Sequence, residues 1–252
     1  MKSQFEKYGA YLSVASAVMY ATMALKDMAR QVVAIDTAMT ELKKVTNETD
    51  AAYDDFLSSA ATGAKEIGTT IDGLVQSAAG FARLGYSFAD SQELAKVANT
   101  YAVVGDEVEG VEGATKSLIS TMAAFKDDFA TVDNGDFATS IIDKFNEVGN
   151  NFAISSGGIG EALQRSASSL AAANNTIDES IAMITAANTV VQDPARIGNA
   201  FKTISMRIRG AKTELEELKA EHETKISDKI EETLSIKTEL QEAKDALAAA
   251  NS

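Results

Sequence analysis

The sequence predicts an all-α protein, an elongated helical bundle with an internal duplication that is followed by a long coiled-coil-like helix. Only one of the 252 residues is proline, so little interrupts helical backbone. The hydrophobic fraction is 45% and tryptophan is absent, and the many alanines suit close helix–helix contacts. Apolar residues recur at steps of three and four, for example at Ile35, Met39, Leu42 and Val45, whereas alternating strand patterns are nearly absent.

Residues 1–50 are predicted to form amphipathic helices. An uncharged run extends from Tyr8 to Leu25 and is long enough to cross a membrane. The run consists mainly of Ala, Ser, Thr, Tyr and Met, and it leads directly into an amphipathic segment. These properties favour a buried helix over a membrane span, and membrane contact by residues 8–25 stays an open alternative.

Residues 51–210 are predicted to be a duplicated helical core. When the chain is shifted by 89 residues, VANT at 97–100 aligns with AANT at 186–189. The two copies extend over about 51–126 and 140–209. Aligned side chains include Phe56 with Phe145, Leu74 with Leu163, and Ser77 with Ser166. Chance similarity between two alanine-rich helical segments is the alternative to duplication.

Helix starts can be identified from their capping residues. Thr176 and Glu179 fit a capping box, in which a hydroxyl and a carboxylate accept hydrogen bonds from free backbone amides. Asp90 is predicted to cap the helix that follows it. Asp193 and Pro194 fit an N-cap followed by the first helical position.

Two glycine-containing stretches resemble ligand-binding loops but are predicted to be turns. DNGD at 133–136 lacks the glutamate of a calcium loop, because the twelfth position is Lys144. We therefore expect an Asx turn there. SSGGIG at 155–160 has Leu163 where a dinucleotide fingerprint needs its third glycine, and no strand precedes it. We expect a flexible turn ahead of a helix at this stretch.

The segment that begins at Pro194 is predicted to be one amphipathic helix that continues into a coiled coil. Its apolar residues follow an uninterrupted heptad pattern: Ile197, Phe201, Ile204, Ile208, Ala211, Leu215 and Leu218. Beyond Leu218 the spacing changes at His222 and Ile226, a stutter that locally unwinds a supercoil. Residues 211–252 contain no Gly or Pro and are predicted to be a charged coiled-coil stub.

Basic residues border this apolar seam on both sides, namely Arg196, Lys202, Arg207 and Arg209. We expect their long side chains to cover the seam and to form salt bridges with the glutamates that follow, beginning at Glu214. The alternative interpretation is contact with an acidic partner, either DNA phosphates or an acidic protein surface.

Composition excludes several kinds of chemistry. Cysteine is absent, which rules out disulfides, thiolate nucleophiles and zinc–thiolate sites. His222 is the only histidine and lies in the charged helix, so neither a histidine metal cluster nor a Ser–His–Asp set is expected. The net charge of −14 argues against specific DNA binding. We expect no catalytic residue, no metal, no cofactor and no small-molecule substrate, and hence no enzyme.

The segment AANTVVQDPARIGNAFKTISMRIRGAKTELEE resembles the core region of phage tail tape measure proteins, which occur in long-tailed phages and prophages. The shared pattern is an Ala-Asn-rich helix, then V-Q-D-P at 191–194, then K-T-I-S-x-R-I-R-G at 202–210. Upstream, IDTAMTELKKVT and FARLGYSFADSQELAKVANT resemble the corresponding core helices. The resemblance covers roughly residues 30–217.

The resemblance implies a structural role in the virion. Tape measure proteins are long and helical, are packed in a few copies inside the tail tube, and set the tail length; some parts assist DNA passage at ejection. The implied partners are further copies of the chain, which would form a homo-oligomer, and the tail tube and tail assembly proteins. The implied place of synthesis is the bacterial host cytoplasm. No catalytic residues belong to the shared motif, so the resemblance adds none.

Length is where the chain departs from this family pattern. A helix advances only about 1.5 Å per residue, so residues 211–252 are too short to serve as a ruler by themselves. We therefore expect a fragment, a truncated prophage remnant or an incomplete gene model. The alternative function is a cellular helical coiled-coil interaction module or an envelope-associated adaptor.

Overall fold

Every regular element that the structure describes is helical, which confirms the predicted all-α class. The structure is a computed structural model and describes residues 26–250. Its first helix, α1, covers residues 26–43. The following helices are α2 (Asp50–Ile67), α3 (Ile71–Ala82), α4 (Phe88–Val104), α5 (Gly110–Phe125), α6 (Asn134–Asn151), α7 (Ser156–Ala172), α8 (Ile177–Val191) and α9 (Pro194–Ala250). A 3-10 turn (Lys126–Phe129) follows α5.

The uncharged run at residues 8–25 lies outside the described residues, so its interpretation as a buried helix stays a prediction. Among the helices within residues 26–250, none combines the length and the apolar content needed to cross a bilayer.

Side-chain caps define where most of these helices begin. The capping box at the start of α8 is confirmed, because Thr176 and Glu179 each accept a backbone hydrogen bond from the other residue. The prediction that Asp90 caps α4 is wrong. The cap is Ser87, whose hydroxyl accepts the amide of Asp90 at 3.1 Å and so places Asp90 inside the first turn. A carboxylate in the first turn interacts favourably with the positive end of the helix dipole.

The two glycine-containing stretches are both helix starts. The Asp133 carboxylate accepts the amide of Gly135 at 2.9 Å, which is the expected Asx-type contact at the start of α6. SSGGIG, in contrast, is not a flexible turn. Ser155 caps α7 and the three glycines lie in its first turns. A Cβ added to Gly157 would fall 2.2 Å from the carbonyl oxygen of Glu107, so this turn needs glycine to let the backbones approach.

Residues 26–202 form one compact unit and residues 203–250 form a second. The first unit contains two apolar clusters. One joins α1, α2 and α3 around Leu42, Phe56 and Val75, with Ala95 of α4 at its edge. The larger cluster joins α4 to α8 and includes the first turns of α9 through Ile197.

A buried polar network connects three helices of the first unit. Asn99 of α4 donates to the hydroxyl of Ser77 in α3 at 3.1 Å, and Ser77 is 2.8 Å from the hydroxyl of Thr115 in α5. The side-chain oxygen of Asn99 accepts from Thr69 at 2.8 Å. Because each buried group has a partner, this network fixes how the three helices are rotated against each other.

The boundaries of the compact units differ from the sequence-based division at 50 and 210, since residues 26–202 belong together. The duplication also stays a prediction. Several observations support it: Ser87 and Thr176, the caps of α4 and α8, are 89 residues apart. Side chains that the alignment pairs are buried in both copies, including Phe56 with Phe145, Leu74 with Leu163, and Ser77 with Ser166.

Candidate functional site

The start of α9 is fixed by its cap, as the sequence predicts. The Asp193 carboxylate accepts the amide of Arg196 at 2.9 Å, and Pro194 occupies the first helical position. Gln192 has a positive φ of 49° and ends α8, so only two residues separate the two helices. The connection between α8 and α9 therefore consists of Gln192 and Asp193 alone.

Within the first unit, the beginning of α9 packs closely on α7. Ile197 is only 2% exposed, and Phe201 is half-buried against the same cluster. A Cβ added to Gly198 would lie 2.5 Å from the carbonyl oxygen of Ala162, so only glycine allows this separation of the two helix backbones. The first turns of the apolar seam are therefore packed in the core of the first unit.

In the second unit the seam continues without a cover. Ile204 is 49% exposed and Ile208 is 61% exposed. Further exposed apolar side chains lie on this side of the helix, namely Leu215, Leu218, Ile226, Ile230, Ile236 and Leu240, whereas the exposed Met206 and Leu234 point away from it. We call the exposed apolar side chains on this side, from Ile204 to Leu240, the apolar stripe. Over these residues the helix is about 55 Å long, at about 1.5 Å per residue. The packing role predicted for this seam stays a prediction.

The basic residues beside the seam are exposed and make no ion pair with any acid within residues 26–250. This holds for Arg196, Lys202, Arg207 and Arg209, so the expected salt bridges with the glutamates from Glu214 onward are missing. The ion pairs of the second unit lie further along, at Lys225–Glu221 and Lys229–Glu232. Contact of these four cations with an acidic partner stays a prediction.

The described residues contain no arrangement suited to metal binding. No group of three or more His, Cys, Asp or Glu side chains within residues 26–250 could hold a metal ion. His222 is exposed on the charged helix. The hydroxyl of Tyr101 donates to the carbonyl oxygen of Ser156 at 2.7 Å, and burial raises the pKa of Tyr101. This hydrogen bond connects α4 to the first turn of α7, which is a structural role.

Sequence reasoning missed three residues that shape this region. Gly198 and Gly160 are glycines inside helices, where they cost about 1 kcal/mol relative to alanine unless packing requires them. A Cβ on Gly160 would fall 2.8 Å from the Ser117 hydroxyl and 2.9 Å from the Tyr101 hydroxyl. A glycine inside a predicted helix is therefore the sequence feature that could have indicated each of these two close contacts. Nothing in the local sequence indicates that Tyr101 reaches Ser156.

Comparison with known proteins gives one result that bears on this helix and on most of the first unit. A family model described as "Phage-related minor tail protein" matches residues 59–251. The matched range includes α3 to α9 and the second half of α2. No solved structure matches the chain.

Proposed function

Since the chain belongs to the family of phage-related minor tail proteins, we propose that it is a tape measure protein of a long-tailed phage or prophage. In this role it sets tail length by helical packing inside the tail tube, and it assists tail assembly and DNA ejection. It acts as a structural protein and not as an enzyme. Its partners are further copies of itself and the tail tube and tail assembly proteins.

The observation that carries this proposal is the apolar stripe of the second unit. A helix in water needs an apolar face packed against something, because helix propensity alone rarely keeps it folded. The stripe exposes large side chains from Ile204 to Leu240 on one face of a helix that has no core of its own. Side-by-side packing of several such helices in a tube would bury the stripe.

Tail length provides the direct test. Duplicating a 28-residue stretch of α9, such as residues 213–240, preserves a seven-residue spacing and should lengthen the helix by about 42 Å. Tails of the phage that encodes the variant chain should lengthen by a similar amount in electron micrographs. Tails of unchanged length would contradict the ruler role.

An insertion outside α9 controls for effects of added chain length. The same 28 residues placed between Thr131 and Val132, in the connection before α6, should leave the tail length unchanged. Mass spectrometry of purified virions should detect the natural chain. If the chain were found with the host envelope and were absent from virions, the adaptor alternative would replace the tape measure proposal.

A further inference from the structure

A second apolar surface lies on the first unit, in a groove between α6 and α8. The groove has a volume of about 490 Å³ and its walls include Val148 of α6 and Phe152, the residue that follows α6. On the α8 side it is lined by Ile181 and by the small, exposed residues Ala182 and Ala186. Phe152 is 61% exposed at one end. Small residues along one wall allow another helix to approach closely, as helix-in-groove contacts require.

The charged side chains around the groove are mostly acidic. The hydroxyl of Thr185, which also lines it, is buried and has no hydrogen-bond partner among the described residues. Acids border the groove at Glu147 and Asp178, whereas Lys144 is its single cation. Lys144 pairs with Asp178 at 2.6 Å, and Glu147 pairs with no described cation. The surface that fits this groove is therefore an apolar helix with a cation at its side.

The first turns of α1 have this chemistry. Met28, Val32, Ile35, Met39 and Leu42 follow steps of four and three and lie on one face. Leu42 is fully buried in the core, but Met28 is 64% exposed and Val32 is 65% exposed. The apolar face of α1 thus continues beyond the part that the first unit covers. Lys26 is exposed one turn before Arg30, which pairs with Asp27.

We propose that residues 26–35 of one copy dock in the α6/α8 groove of a second copy. Met28 and Val32 enter the groove beside Ala182 and Ala186, and Lys26 lies near Glu147. Both surfaces are exposed in the single chain, and α1 packs in the smaller apolar cluster whereas α6 and α8 pack in the larger one, so we assign the contact to two different copies. Ten helical residues are about 15 Å long, which matches the three turns of α8 that line the groove.

Two copies can make this contact reciprocally. Stable interfaces bury about 800 Å² per partner, and three helical turns fall short of that area. Each copy carries one α1 end and one groove, so a two-fold pair makes the contact twice. This interface involves only the first unit and does not depend on the tape measure role.

Cysteine cross-linking tests this contact cleanly because the natural chain contains no cysteine. We would mix purified chains carrying Val32→Cys with chains carrying Ala186→Cys and oxidise them mildly. A disulfide-linked dimer should form at a yield on the order of tenfold above the matched control. The control pairs Val32→Cys with Ala61→Cys, an exposed position on the polar face of α2. Equal yields for the two pairs would overturn the proposal.

Charge reversal distinguishes a specific contact from non-specific association. Lys26→Glu should reduce the cross-link between Val32→Cys and Ala186→Cys several-fold, and Glu147→Lys on the second chain should restore it. Failure of that rescue would count against the assignment of this pair. If Ala186→Cys linked instead to Ile226→Cys, or to a cysteine placed within residues 8–25, a different occupant would hold the groove and the proposal would be wrong. Circular dichroism of each variant should match the natural chain.

Discussion

The two parts of α9 carry one apolar pattern and meet different surroundings. In the first unit Ile197 is buried against α7, and Gly198 brings the two backbones together. In the second unit Ile204 lies one heptad later, at the equivalent place in the pattern, and it is exposed, as is the next seam residue, Ile208. Because a heptad pattern shows which face of a helix is apolar and not what covers that face, one pattern yields a core contact and an open surface.

The two units therefore differ in what stabilises them. The first unit buries its own apolar side chains and contains a hydrogen-bonded polar network between α3, α4 and α5, so it should fold as a single chain. The second unit is one helix whose apolar stripe lacks a cover in the single chain, so its stability should depend on association. The second unit also contains no tyrosine, so tyrosine fluorescence does not report on it, and Tyr53, Tyr86 and Tyr101 report on the first unit.

The largest expected effect comes from shortening the buried isoleucine. Ile197→Ala should lower the free energy of unfolding of the first unit by about 2–4 kcal/mol, since it leaves a cavity in the core. Ile208→Ala is the matched control and should change it by less than about 0.5 kcal/mol. Urea titration followed by tyrosine fluorescence measures both. Equal losses would remove the distinction between the two parts of α9.

The next effect concerns the buried hydrogen bond between α4 and α7. Tyr101→Phe should cost about 1–3 kcal/mol, because the carbonyl oxygen of Ser156 loses its donor inside the core. Tyr86→Phe provides the control, since the hydroxyl of Tyr86 has no hydrogen-bond partner among the described residues and the side chain is half-buried. If Tyr86→Phe were the more damaging change, the assigned role of Tyr101 would be wrong.

The same tyrosine gives the first unit a dependence on alkaline pH. Burial raises the pKa of Tyr101 in the folded chain, so above about pH 10 the unfolded chain loses that proton while the folded chain keeps it. Stability is therefore fully present below the pKa of the unfolded state and falls as the pH rises above it, by up to about 1.4 kcal/mol per pH unit. Urea midpoints between pH 9 and 11 should show this fall, and Tyr101→Phe should make it shallower. A fall of the same slope in that variant would exclude Tyr101 as its source.

The smallest effect is expected at the exposed cations of the second unit. Arg207→Gln combined with Arg209→Gln should change the stability of the first unit by less than about 0.5 kcal/mol, because neither arginine pairs with a described acid. We expect no salt-sensitive DNA binding by the natural chain. If the natural chain bound DNA strongly and the double variant did not, these arginines would be phosphate contacts.

Local signals in the sequence predicted local features well. The capping box at Thr176 and the start of α9 at Asp193 depend on residues within one turn, and both are confirmed. Ser87 and Asp90 are both good cap residues three positions apart, so sequence alone did not decide between them. The salt bridges expected at Arg207 and Arg209 are absent among the described residues, because no acid stands three or four positions from either arginine on the helix.

Long-range contacts were beyond the sequence. The glycines of α7 were interpreted as a flexible turn, because their need for close backbone approach depends on Glu107, which lies about fifty positions earlier. The hydrogen bond between Tyr101 and Ser156 likewise joins residues that are far apart in the sequence. The groove between α6 and α8 also depends on the packing of two helices, and no run of consecutive residues announces it.

The close approach at Gly157 changes what a protease would report about this protein. The connection between α4 and α5 contains Glu107 and Glu109, so the sequence alone suggests a loop that a glutamate-specific protease would cut easily. Yet the amide of Gly157 donates to the carbonyl oxygen of Asp106 at 2.8 Å, which ties that loop to the first turn of α7. A glutamate-specific protease would reach the bond after Glu107 only when that turn opens. The rate of cleavage after Glu107 would therefore report how often the first turn of α7 opens. The ends of the resulting fragments would not mark a domain boundary.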